Sequence, residues 1–157
     1  MSPKQDTIMS FQESKYLTSF ATILIVTLNY AFRANARWQA GDFDGEAGLS
    51  ALGASVLWFV GALVVAGIAG QIALSILRGM TGGEVDYRAD ERDRLIEHRA
   101  MNAAFLALSF AFIAAMIGLI VGQGAVHAVF TILAGFVLGG LVADIWRFVL
   151  HRRGFRI

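Results

Sequence analysis

Asp144 is the first residue whose type and position call for a chemical explanation. It lies about two helical turns from the end of a long apolar stretch, Ala128–Leu150. A carboxylate so placed costs on the order of 2–3 kcal/mol even on insertion scales. The negative end of its helix disfavours its charge further. Arg147 follows one turn later and His151 one turn beyond that. Gln71 and Asn102 fall at similar depth on two other apolar stretches. Gln71, Asn102, Asp144 and Arg147 are therefore expected to form one intramembrane polar layer. Such a layer either ties helices together and fixes their register, or handles a proton or small ligand. Closeness to an interface favours the structural role. Transporters carry their acids nearer mid-bilayer on broken helices, and neither feature is evident here.

Three histidines raise the question of haem or zinc. A membrane b-type haem needs two facing histidines inside a bundle. His98 and His151 instead flank arginines at one end of the chain's apolar segments, with His127 at the other. The acids Asp42, Asp44 and Glu46 share the alternation of a calcium loop, but a suitably placed twelfth-position Glu is missing. The chain has no cysteine, so thiolate metal sites, disulfides and thiol catalysis are excluded. No nucleophile is spaced with a base, and no glycine loop is set to cradle phosphate. The expectation is no enzyme activity, no metal and no cofactor.

The elements that hold these residues are apolar helices. Of 157 residues 57% are hydrophobic and only 16% charged, against roughly 25% in soluble domains. Mean hydropathy is +0.62. A net charge of +1 gives no sign of nucleic-acid binding. The length fits four spans of about 20 residues each, expected at about 16–32, 52–77, 100–122 and 128–150. Residues 1–15 then form an N-terminal tail, 33–52 a first loop and 151–157 a basic tail. The fold class is all-α, an integral membrane four-helix bundle. The single proline, Pro3, lies outside every span, so none is kinked by proline.

The first span is the most polar, with Thr18, Ser19, Thr22, Thr27 and Asn29. Ala34-Asn35-Ala36 mimics a signal-peptidase site, but Arg33 in the same region argues for an uncleaved span. Small residues mark packing faces: Gly67 and Gly70 near Ala62 and Ala66, the ladder Ala107, Ala111 and Ala115, and Gly135-x-x-x-Gly139. The turn at 122–127 is so short that the third and fourth spans must be antiparallel neighbours. A faint echo between 67–72 and 140–145 fits two stacked helix hairpins.

Between the hairpins lies the only long charged run, Tyr87–Arg99. Asp90 is a suitable N-cap, with Asp93 at N3 and Arg94 four residues on. The third helix is therefore expected to start in water near residue 90 and to project about two turns above the bilayer. Its projecting part, with Asp90, Glu91, Arg92, Asp93, Arg94 and Glu97, is the expected docking cap for a partner. Four spans put the termini and this run on one side. That side carries Lys or Arg at positions 4, 15, 78, 88, 92, 94, 99, 147, 152, 153 and 156, and the other only at 33 and 37. By the positive-inside rule, both termini are cytoplasmic. Trp146, Arg147, His151, Arg152 and Arg153 provide an aromatic and basic interfacial anchor.

The segment Asp90-Glu91-Arg92-Asp93-Arg94-Leu95-Ile96-Glu97 between apolar spans, with Arg152-Arg153-Gly154 after the fourth, resembles an uncharacterised family of small bacterial four-span membrane proteins. The resemblance covers roughly residues 55–155; the first loop matches nothing in that pattern. Members are often encoded beside a helix-turn-helix regulator, which implies a regulatory or sensory membrane role and supplies no catalytic residue. The expected function is a non-enzymatic protein of the bacterial inner membrane. It would act through protein contacts, as a homo-oligomer or as an accessory subunit of a larger membrane complex. The alternative is a small transporter or channel built around Asp144 and Gln71.

Overall fold

The computed structural model describes residues 11–80 and 91–153. Four helices follow in order: α1 (Phe11–Gln39), α2 (Gly45–Met80), α3 (Glu91–Ile120) and α4 (Ala125–Arg153). There is no strand among the described residues. All four are long and apolar enough to cross a membrane, and α1 is the least apolar. The 36 residues of α2 would run about 54 Å, well beyond a hydrocarbon core of about 30 Å. Asp90, the side chain of Arg92, and the first ten and last four residues fall outside the described part.

Two tight turns close the hairpins. After α1, the Gly41 amide donates to the Trp38 carbonyl (3.0 Å) and the Asp42 amide to the Arg37 carbonyl (3.1 Å). These are the paired bonds of a Schellman stop, and Gly41 takes the left-handed conformation it requires (φ 78°). The α3–α4 turn repeats the device. The Gly122 amide donates to Leu119 and the Gln123 amide to Gly118, with Gly122 at φ 86°. The first turn is much shorter than the loop expected over 33–52. Arg33, Asn35 and Arg37 remain helical, because side chains that reach interfacial water do not interrupt the backbone ladder. The chain turns only where Gly41 permits it.

Consecutive helices form antiparallel pairs, α1 with α2 and α3 with α4. The two hairpins meet through α1 and α4, so the packing order is α2–α1–α4–α3. Among the described residues, α2 barely reaches α4, and no Cα of α3 comes within 8 Å of a Cα of α1 or α2. The bundle is thus open between α2 and α3.

The α3–α4 seam is the tightest, and small residues make it so. A Cβ on Gly135 would collide with the Ala111 side chain, and one on Gly139 would stand 2.9 Å from the Ala104 carbonyl oxygen. Ala100, Ala115 and Ala143 are buried in the same seam. In lipid, where apolar burial supplies little drive, such close backbone approach is what holds helices together. On the α1–α2 seam Gly70 faces Thr18 and Thr22, and Tyr30 stacks on Phe59 at 4.5 Å. Gly67 is part-buried but has open space beside it: a Cβ there would meet no atom within 4 Å. Large apolar side chains such as Phe32, Trp58, Phe105, Phe110 and Ile120 point outward, as lipid-facing positions do.

Candidate functional site

The polar residues gather at the end of the molecule where α1 and α3 begin and α4 ends. On α4, Asp144, Arg147 and His151 share one face through spacings of three and four. On α3, Asp93 and Glu97 share a face through a spacing of four. Tyr16 of α1 completes the cluster.

Arg147 is its centre. Its Nη2 and Nε donate to the two oxygens of Glu97 at 2.6 and 2.9 Å, a fork across the α3–α4 seam. Its Nη1 donates to Asp144 Oδ1 at 2.8 Å. Bidentate arginine–carboxylate geometry is the strong form of this contact. The guanidinium also lies 6.0 Å from the centre of the Tyr16 ring. His151 Nε2 stands 3.4 Å from the Tyr16 hydroxyl and 3.5 Å from Asp93 Oδ1.

Asp144 is the one charged residue that is fully buried among the described residues, at 3% exposure. Oδ1 has Arg147; Oδ2 is buried without a hydrogen-bond partner among the described residues. One arginine charge is shared by two carboxylates, one buried and the other half-exposed.

The four residues expected in one layer separate. Asp144 and Arg147 are bonded to each other. Gln71 donates to the Lys15 carbonyl at 3.4 Å across the α1–α2 seam. Asn102 is exposed. It lies two residues beyond the fully buried Ala100, about 200° around the helix. Two residues assigned to the docking cap, Asp93 and Glu97, instead face α4. Glu91, Arg94, Leu95 and His98 are exposed. The role of Tyr16 in binding His151 and Arg147 was not foreseen, since nothing in the sequence says which face of α1 meets α4.

The opposite end holds an aromatic cluster. Trp38 stacks on Phe130 (5.2 Å, 8°) and meets the edge of His127 at 4.6 Å. Phe43, at the turn, is buried, with the Arg37 guanidinium 5.0 Å from its ring centre. Arg37 Nε donates to Asp42 Oδ2 at 3.0 Å, so Asp42 serves the turn. The described residues contain no group of three or more histidines and carboxylates able to hold a metal ion.

A family model described as "Predicted membrane protein (DUF2178)" matches residues 43–150. The chain belongs to this family. The membership agrees with the resemblance read from the charged run and its flanking spans. The match takes in α2, α3 and most of α4, and with them Asp93, Glu97, Asp144 and Arg147. It leaves α1, and so Tyr16, outside. No curated protein and no solved structure matches the chain. The family description establishes a membrane protein and specifies no activity.

Proposed function

We propose that this chain is a non-enzymatic component of a bacterial inner membrane, with both termini cytoplasmic, that acts through contact with a partner protein. The observation that carries this reading is the division of α3 into two faces beside the polar cluster. Asp93, Ile96 and Ala100 turn inward to α4, and the half-exposed Glu97 reaches Arg147 from the edge of that face. Arg94, Leu95, His98 and Asn102 form an exposed stripe at helical spacing. An exposed leucine among polar and charged neighbours suits a protein contact near the membrane surface. The lysine and arginine asymmetry supports the orientation.

The transporter alternative draws support from the unsatisfied Oδ2 of Asp144. It is weakened because Gln71 is bonded elsewhere and Arg147 is committed to two carboxylates.

The test is extraction of the full chain from its native membrane in mild detergent, followed by the mass of the intact particle. The expected result is a particle heavier than the chain alone, which Leu95→Asp with Arg94→Glu dissociates without loss of the fold. A lone chain, or a particle indifferent to both changes, would sink the reading.

A further inference from the structure

The opening between α2 and α3 is a groove of about 710 Å³, floored by α1 and α4. Its lining is mostly apolar; Ser19 and Thr22 of α1 lie in the floor, and Gln71 and Arg147 stand at one end. Its volume falls in the range of single small-ligand sites. On α2 it runs from Val60 to Gln71, and on α4 from Phe136 to Arg147. Either distance is about 17 Å at 1.5 Å per residue. Half of a hydrocarbon core is about 15 Å. A span of 20 residues ending at Arg147 puts mid-bilayer near Val137, where the groove begins. The groove is therefore one leaflet deep. A transmembrane helix needs about 30 Å of seat, and this groove offers about half.

We infer that the α2–α3 groove is a binding site for one phospholipid of the leaflet at the termini end. An acyl chain lies along Gly67 and Gly140, and the headgroup stands at Gln71 and Glu97. The charge around the mouth selects the headgroup. Among the described residues, Asp93 pairs with His151, while Glu97 and Asp144 share Arg147, whose guanidinium therefore already binds two carboxylates. Among the described residues of this cluster, the one arginine is already committed, so an anionic headgroup gains little from it. A zwitterionic headgroup with a primary ammonium can place that ammonium against the half-exposed Glu97.

The test uses the full chain in vesicles of equal parts phosphatidylethanolamine and phosphatidylglycerol. A photoreactive acyl chain is carried on one headgroup or the other, and adducts are mapped by peptide. The expected result is groove adducts, at residues such as Val64 and Leu108, from the ethanolamine probe in several-fold excess over the glycerol probe. Gly67→Phe fills the groove at a position where a Cβ meets nothing within 4 Å. It should abolish the groove adducts while those on the outer face of α2, at Val65 and Ile68, persist. Val64→Trp should do the same, and Glu97→Gln should bring the two probes toward parity. Adducts spread evenly around the helices, groove adducts that survive both filling variants, equal labelling by both probes in the unaltered chain, or chain-to-chain crosslinks at Val64 that displace the lipid would each overturn the site.

Discussion

Arg147 stands between a buried carboxylate and a half-exposed one, and its two partners should respond differently to mutation. Arg147→Ala leaves Asp144 buried with neither oxygen bonded to the guanidinium. Removing one member of a buried pair costs about 3–5 kcal/mol, which detergent unfolding of the purified protein would measure. Glu97→Gln removes a half-exposed partner and should cost about 1 kcal/mol or less. The double variant Asp144→Leu with Arg147→Leu should recover most of the loss, because a well-packed apolar pair is often no worse than a buried ionic one. A double variant as unstable as Arg147→Ala would show that the cluster is held by more than this pair. The sequence pointed to Asp144 and Arg147 through an acid with an arginine one turn away. It could not separate Asn102 from Glu97. Both are polar residues near the start of α3, and only the buried face of that helix decides between them.

At the scale of the helix, the four apolar runs made the spans legible, but the turns depended on finer signals. Polar residues from Arg33 to Gln39 resemble a loop by composition, yet all are helical, and the stop comes at Gly41 with its two backfolded bonds. Gly41→Ala forces a side chain into the left-handed region and should cost about 1–2 kcal/mol, read as a lowered melting temperature. Glycines that look equivalent in sequence are also unequal in the fold. Gly135 sits where a Cβ would strike Ala111, so Gly135→Leu should separate α3 from α4. Overpacking costs about 1–3 kcal/mol in soluble cores, and a seam held by close approach alone should lose at least that. Gly67→Leu, one seam away, should be tolerated. Comparing the two melting curves tests whether exposure to the groove, rather than residue type, sets the outcome.

For the whole molecule, the packing order α2–α1–α4–α3 has a consequence for assembly in the membrane. Each hairpin is a self-contained insertion unit, since its helices are adjacent in sequence and joined by a turn of a few residues. The joint between units is the α1–α4 interface, latched at one end by Tyr16 on His151 and at the other by Trp38 on Phe130. The covalent link between Met80 and Glu91 therefore joins the two helices that lie farthest apart in the packing order. Two half-chains divided between those residues and expressed together should find each other in the bilayer and co-purify. Trp38→Ala combined with Tyr16→Ala should abolish that recovery while each hairpin still inserts. The protein would then behave as a heterodimer of hairpins that happens to be encoded on one chain.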